Sequence, residues 1–162
     1  MKIQLVALAM LLAGCAQSAV PVTSLPDIES FRMSRTACLG TCPDYSVEIF
    51  KDGSVKYSGH HFVGVVGDRD GKVDAASFEK LRAELAKLDY FALKNDYYNE
   101  THGCAETSTD MPSANFTAKT ATGSKDVSYY YGCHIKGLSE QLQRLSDTVD
   151  EVANSKQWVA PR

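Results

Sequence analysis

Residues 45–59 carry the pattern that most restricts how this chain can fold. Apolar and polar side chains alternate along this segment on both sides of Asp52-Gly53, a pair that favours tight turns. Alternation with a period of two around such a pair is typical of a β-hairpin with one buried face. We therefore expect the fold to be built around a half-buried sheet.

The length of the turn in this hairpin decides which side chains face the core. A three-residue turn at 51–53, with Gly53 in the left-handed conformation, places Ile49 opposite Val55 and collects the apolar side chains on one face. A two-residue turn would instead pair apolar side chains with charged ones. The three-residue turn puts Phe50 on the opposite face, where we expect a partner or a second layer to cover part of its ring.

The remaining pattern predicts one more hairpin, one further strand and two amphipathic helices. The predicted elements are a strand at 60–66, a turn at 68–71, a helix at 75–89, a hairpin of strands 113–120 and 125–131, and a helix at 138–153. Asp74 is placed to cap the first helix. Because strands and helices occur in separate runs, we expect an α+β fold, with an antiparallel sheet packed against two helices.

The first fourteen residues are similar to a secretory signal peptide. Lys2 precedes an apolar run of about a dozen residues, which is too short to span a bilayer. The run ends at Leu12-Ala13-Gly14-Cys15, which resembles the lipobox of bacterial lipoproteins. The resemblance implies cleavage after Gly14 and a lipid containing palmitate on Cys15.

This interpretation divides the chain into three parts: a signal peptide at 1–14, a lipidated N-terminus with a flexible tether at 15–30, and one globular α+β domain at 31–158. Several acyl chains give stable attachment, so we expect the protein to contact a membrane through its lipid. Ala16 follows Cys15, and the resemblance to lipoprotein sorting then implies the outer membrane, facing the periplasm, if the host is Gram-negative.

Four cysteines remain once Cys15 carries a lipid, and an even number in an exported protein indicates disulfides. Three connectivities are possible. We favour Cys38–Cys42 together with Cys104–Cys133, in which the second bond closes the longer loop.

The stretch from Arg35 to Val47 resembles the opening signature of an uncharacterised family, the domain of unknown function 6438. The family pattern is similar to Arg-x-x-Cys-x-Gly-x-Cys-Pro-x-Tyr, and segments 91–94 and 109–112 resemble its later landmarks. The resemblance covers roughly residues 31–153 and implies a secreted or lipid-anchored bacterial protein with the same order of hairpins and helix. It implies no activity. This chain adds Cys104 and Cys133 to the family's cysteine pair, which supports a bond between them.

Charge and motifs narrow the possible functions. The chain has 20 acidic and 17 basic residues and no basic run, so we expect no nucleic-acid partner. It has no glycine-rich phosphate loop, no helical pair of histidines and no nucleophile–base arrangement. We therefore expect no cofactor and a non-catalytic module that binds a protein or a cell-wall component.

Two sets of residues are candidates for a site. Surplus aromatic side chains suit recognition of a partner, and the candidates are Phe50, Tyr97, Tyr98 and Tyr130. In the alternative function, a thiol-redox or metal-handling protein, the metal ligands would be His102, Cys104, Cys133 and His134. His60 and His61 are adjacent, and since neighbours in a strand point to opposite faces, we expect that they cannot share an ion.

Overall fold

The structure, a computed structural model, describes residues 25–160. The predicted signal peptide, the lipidation at Cys15 and the first part of the predicted tether lie outside the described residues. Within residues 25–160, no helix is long and apolar enough to cross a membrane.

The described chain forms nine strands, three α-helices and two short 3₁₀ helices. The strands are β1 (Ile28–Arg35), β2 (Asp44–Phe50), β3 (Ser54–His61), β4 (Gly67–Lys72), β5 (Asp96–Tyr97), β6 (Glu106–Thr107), β7 (Ser113–Thr120), β8 (Gly123–Tyr130) and β9 (Cys133–His134). The helices are α1 (Ala75–Lys87), α2 (Leu138–Val152) and α3 (Lys156–Val159), with 3₁₀ helices at Tyr90–Ala92 and Glu100–His102.

Seven of these strands form one sheet in the order β4-β3-β2-β1-β7-β8-β5, and β6 pairs with β9 in a small ribbon. All neighbours in the large sheet are antiparallel except β5 and β8, which are parallel. The fold is therefore α+β with a mostly antiparallel sheet, as the sequence predicts.

The first hairpin has the predicted register. Ile49 lies opposite Val55 and Glu48 lies opposite Lys56. Gly53 has a φ of 84°, the left-handed conformation that the three-residue turn requires. The alternation of apolar side chains was therefore sufficient to define this pairing.

The segment after this hairpin differs from the prediction. Residues 68–71 form most of the edge strand β4 rather than a turn, and the strand predicted at 60–66 ends at His61 as part of β3. An edge strand pairs on one side only, so its polar side chains stay in water. Asp68 accepts a hydrogen bond from Ser58 across the pair, at 2.6 Å. The pairing with β3 therefore overrides a local composition that is typical of turns.

The folded part also begins earlier than predicted. β1 starts at Ile28, whose side chain is fully buried and which pairs with Thr120, so the last three residues of the predicted tether are part of the sheet. At the other end of the domain, Trp158 is buried against Tyr57, with ring centroids 5.0 Å apart.

One face of the sheet forms the core together with α1 and α2. Asp74 caps α1 by accepting a hydrogen bond from the backbone N–H of Ser77, as predicted. The ion pairs Lys80–Glu151 and Arg144–Glu84 show that α1 and α2 run antiparallel. The buried side chains of the core include Phe31, Met33, Val47, Phe116, Leu81, Leu85, Leu142 and Leu145.

The other face of the sheet is polar. Glu48 lies on this face but is only 9% exposed, because long side chains such as Lys119 lie over it. Burial of the Glu48 carboxylate tends to raise its pKa, but hydrogen bonds from Ser30 and Lys119 lower the pKa overall.

The sheet has two ends, a proximal end and a distal end. The proximal end is the end at which β1 begins, and it contains the turns at 51–53 and 121–122. The distal end is the end at which β1, β3 and β8 finish, and it contains the loops at 36–43, 62–66, 98–112 and 131–137.

Candidate functional site

Asp150, near the end of α2, is the centre of a hydrogen-bond cluster at the distal end. Its Oδ2 accepts a hydrogen bond from Nη2 of Arg35 at 3.0 Å. Its Oδ1 accepts hydrogen bonds from the hydroxyls of Tyr45 and Ser155, both at 2.6 Å. One carboxylate therefore joins β1, β2 and the turn before α3.

The Arg35 guanidinium is mostly enclosed. Its side chain is 23% exposed, it lies 5.7 Å from the ring centroid of Tyr131, and its Nη2 lies 3.7 Å from Asp147. Burial by itself lowers the pKa of Arg35, but its interactions with Tyr131, Tyr45 and the two carboxylates raise the pKa overall. Within residues 25–160, the buried Nε of Arg35 has no hydrogen-bond partner.

Tyr45 acts as a donor in this cluster. Burial raises the pKa of Tyr45 far above its ordinary range, and the nearby negative charge of Asp150 raises it further. Burial also raises the pKa of Tyr131, whose hydroxyl donates to Ser146 at 2.7 Å. Both tyrosines are therefore protonated at neutral pH. Tyr45 holds the start of β2 to α2, and Tyr131 holds the loop after β8 to α2.

A cleft of about 570 Å³ opens beside this cluster, and we call it the motif cleft. It is lined by Arg35, Pro43, Tyr45, Asp147, Asp150, Glu151, Ser155, Lys156, Val159 and Ala160. Apolar side chains thus stand next to carboxylates and cations, a combination that suits a ligand with both apolar and charged groups.

The local sequence explains how the cleft forms. β1 ends at Arg35, and the Cys38–Cys42 disulfide, with a Cα–Cα distance of 5.6 Å, closes the chain into a tight loop. The chain then returns along β2 with Pro43 and Tyr45 at its start. Three positions of the Arg-x-x-Cys-x-Gly-x-Cys-Pro-x-Tyr pattern therefore line one cleft.

Ser155 is enclosed within this cluster, since it is 1% exposed and its hydroxyl donates to the Asp150 carboxylate. In residues 25–160, no group of three or more His, Cys, Asp or Glu side chains is placed to hold a metal ion.

A second depression, of about 490 Å³, lies on the polar face of the sheet over β1 to β4. Two of its charged groups are bonded to neighbouring polar groups: Arg32 donates to Ser46 at 2.9 Å, and Glu48 accepts from Lys119 at 3.0 Å. It is lined by none of the residues that define the family pattern. We therefore take the motif cleft as the candidate site.

The cysteines of the alternative metal set are bonded to each other. Cys104 and Cys133 form a disulfide, and both are buried. His102 stacks on Tyr98, with ring centroids 4.1 Å apart, and its Nδ1 lies 2.6 Å from Asn99. His134 is exposed and contacts Ser108 at 3.4 Å. The structure therefore does not assemble these four residues as ligands of one ion.

The aromatic candidates do not form one surface. Tyr97 is wrong as an exposed binding residue, because β5 pairs with β8 and places its ring in the core at 5% exposure. Tyr98 is 52% exposed. Phe50 is half-buried at the proximal end under Lys56, whereas Tyr130 is half-buried at the distal end.

His60 and His61 also differ from the prediction. The register shifts between Asp44 and Tyr45 so that His60 is an extra residue on β3, and both imidazoles approach one carboxylate. Their Nδ1 atoms lie 3.1 Å and 3.5 Å from the Asp44 oxygens. The expectation of opposite faces assumed a regular strand, and the bulge removes that regularity.

Sequence reasoning missed the helical side of the site. Asp147 and Asp150 are three residues apart in α2, which puts both carboxylates on one face of the helix. That spacing was the available signal. Nothing local connects it to Arg35, which is 115 residues away from Asp150.

The chain was compared with protein families and with curated proteins. A family model described as a domain of unknown function, DUF6438, matches residues 29–153. No curated protein matches the chain.

Proposed function

Because the chain belongs to the DUF6438 family, whose description assigns no activity, we propose a function from the site itself. The protein is a non-catalytic binding module, held at the bacterial cell envelope by a lipid on Cys15, and the motif cleft is its binding site. The observation that carries this proposal is that Arg35, Pro43 and Tyr45, three positions of the Arg-x-x-Cys-x-Gly-x-Cys-Pro-x-Tyr stretch, line the same cleft.

The rigidity of the cleft supports binding. The Cys38–Cys42 disulfide restrains the loop that leads into the cleft, and Asp150 holds Arg35 and Tyr45 by hydrogen bonds of 3.0 Å and 2.6 Å. A site whose side chains are already held loses little conformational entropy when it binds. Such a restraint suits recognition of a protein or of a cell-wall component.

The sequence and the disulfides support the envelope location. The segment 1–15 resembles a signal peptide with a lipobox, and two disulfides are typical of an oxidising compartment. Cys15→Ser tests the anchor. We expect mass spectrometry of the wild-type protein to show a processed, acylated Cys15, and the variant to lose both the acyl mass and membrane association. An intact Met1 on the wild-type protein would contradict the anchor.

Photo-cross-linking in intact cells tests the binding site. A photoreactive residue at Lys156, an exposed position on the cleft, should capture a discrete partner, whereas the same residue at Thr122, exposed at the proximal end, should not. Adding Ala160→Trp, which fills the cleft from an exposed position, should abolish the product. Equal products at both positions, or none at Lys156, would overturn the proposal.

The alternative, a thiol-redox protein, would use Cys38–Cys42, because these cysteines are partly exposed whereas Cys104 and Cys133 are buried. Its test is the reduction potential of the Cys38–Cys42 pair. A potential below about −300 mV is typical of a structural disulfide and would exclude this function.

A further inference from the structure

The exposed apolar side chains of this domain are not scattered. Among residues 25–160, five large hydrophobic side chains are exposed: Leu39 (80%), Val66 (66%), Phe62 (55%), Tyr98 (52%) and Met111 (45%). All five belong to loops at the distal end, and the described proximal turns carry none. A cluster of this kind marks an interaction site, whereas single exposed apolar residues need no explanation.

The strand order arranges these side chains in a row. Phe62 and Val66 lie in the loop between β3 and β4, Leu39 between β1 and β2, Met111 before β7, and Tyr98 after β5. Neighbouring strands are about 4.8 Å apart, so the row crosses the seven strands over roughly 25–30 Å. We call this row the distal apolar row.

Backbone hydrogen bonds hold the row in place. Leu39 lies inside the disulfide loop and donates its N–H to the carbonyl of Asp110 at 3.3 Å. Met111 donates its N–H to the hydroxyl of Tyr130 at 3.1 Å. In the loop between β3 and β4, Val65 donates to the carbonyl of Trp158 at 2.8 Å. The apolar side chains are thus presented by restrained loops.

The charge around the row indicates the chemistry of a partner. The loops at 36–43, 62–66, 98–112 and 131–137 contain the carboxylates of Glu100, Glu106 and Asp110 and the single lysine Lys136, and Asp44 adds a carboxylate at the start of β2. A negative rim favours a positively charged partner and disfavours an anionic lipid surface. The chain also enters the sheet at the opposite end, where β1 begins. With a lipid on Cys15, the attachment point of the domain therefore lies at the end of the sheet opposite to the row.

We propose that the distal apolar row is a docking surface for a protein segment that combines apolar and basic side chains. An extended segment of about eight residues spans such a row at 3.3–3.6 Å per residue. This extends the proposed binding function from the motif cleft to a second surface, and only the position of the attachment point relative to the row rests on the lipid anchor.

Peptide binding to the full, lipidated protein in nanodiscs tests the inference. The probe is a fluorescent peptide of alternating Leu and Lys, measured by anisotropy, with Leu/Glu and Ser/Lys peptides as controls. We expect the Leu/Lys peptide to bind at least about tenfold more tightly than either control, which corresponds to about 1.4 kcal/mol. Added salt should weaken that binding, because the rim charge contributes to it.

Surface variants locate the site. Leu39→Ser with Phe62→Asn should weaken Leu/Lys binding at least about tenfold, which again corresponds to about 1.4 kcal/mol. Asn suits the positive φ of 54° at residue 62, so the fold should be kept. The control Ala121→Ser, at an exposed proximal position, should leave binding unchanged.

The inference would be overturned if all three peptides bound equally well, or if the double variant bound the Leu/Lys peptide as tightly as the wild type. It would also be overturned if sedimentation showed a wild-type dimer that the double variant does not form, because a second copy of the chain would then cover the row. The outcome is independent of the motif cleft. The double variant replaces no residue that lines the motif cleft, so it should weaken Leu/Lys binding but leave cross-linking at Lys156 intact. Failure of either proposal can therefore be told from failure of the other.

Discussion

The two ends of the sheet are held in different ways. At the proximal end, the turns at 51–53 and 121–122 are two or three residues long, and Gly53 takes the left-handed backbone that such a turn requires. At the distal end, the loops reach fifteen residues (98–112), and the described cysteines form two disulfides there. Short turns are restrained by their own backbone geometry, whereas long loops need bonds to distant parts of the chain.

This difference matters for function, because binding residues are usually found on loops that a rigid scaffold holds in position. The motif cleft and the distal apolar row both lie at the disulfide-bonded end. We therefore expect substitutions at the distal end to lower stability by removing disulfides and tertiary hydrogen bonds. We expect substitutions at the proximal end to lower stability by straining the backbone of the turns.

The largest effect is expected from the Cys104–Cys133 disulfide. Replacing both cysteines by Ala should lower the free energy of unfolding by about 3.6 kcal/mol, because the bond closes a long loop in the unfolded chain. Replacing Cys38 and Cys42 should cost only about 2 kcal/mol, since that loop is short. Urea denaturation of the two double variants measures both values, and equal costs would contradict the loop-length explanation.

Next in size is the loss of Asp150. Asp150→Ala leaves a mostly enclosed Arg35 charge and two hydroxyls without their acceptor, so it should lower the free energy of unfolding by about 3 kcal/mol. The matched proximal change, Asp27→Asn, removes the exposed Lys51–Asp27 ion pair and should have no measurable effect. Comparable losses in the two variants would remove the distinction between the ends.

A smaller effect is expected at Gly53. Gly53→Ala should cost about 2 kcal/mol, because the residue has a left-handed backbone and a Cβ there would collide with the carbonyl of Val73. Gly67, at the distal end, has a similar φ of 86° but open space around it, so Gly67→Ala should cost only about 1 kcal/mol. Thermal unfolding of the two variants measures both losses of stability. A larger loss in Gly67→Ala than in Gly53→Ala would contradict the role assigned to the proximal turn.

The smallest effect is a dependence on alkaline pH at the distal cluster. The pKa of Tyr45 is raised in the folded protein, so above the ordinary tyrosine pKa of about 10 the unfolded chain loses this proton while the folded one keeps it. The stabilisation is complete below about pH 10 and is lost as pH rises further. The difference in unfolding free energy between wild type and Tyr45→Phe should therefore shrink by about 1 kcal/mol between pH 9 and pH 11.

Tyr90 provides the comparison for this measurement. Its pKa is also raised by burial, but its hydroxyl donates to the backbone carbonyls of Phe116 and Lys125 rather than to a carboxylate. The difference in unfolding free energy between wild type and Tyr90→Phe should shrink in the same way between pH 9 and pH 11. A change at Tyr90 alone would mean that Tyr45 is not buried as described.

Much of the fold could be predicted from the sequence because it depends on local pattern. The register of the first hairpin follows from alternation and from Gly53, and α1 begins after its cap at Asp74. The exceptions are informative: residues 68–71 became the edge strand β4 and Tyr97 became a core residue. In both, strand pairing, of β4 with β3 and of β5 with β8, outweighed a composition that is typical of turns and loops.

By itself, the sequence determined the hairpins, the two long helices and the α+β class, whereas its four remaining cysteines left three connectivities open. Alternation, helical spacing and caps act within a few residues, so they can be identified along the chain. Only the tertiary structure decided the motif cleft and the distal apolar row. Arg35 meets Asp150 across 115 residues, and the five exposed side chains come from separate loops. Such contacts depend on how the sheet and helices pack, and no local pattern along the chain encodes that packing.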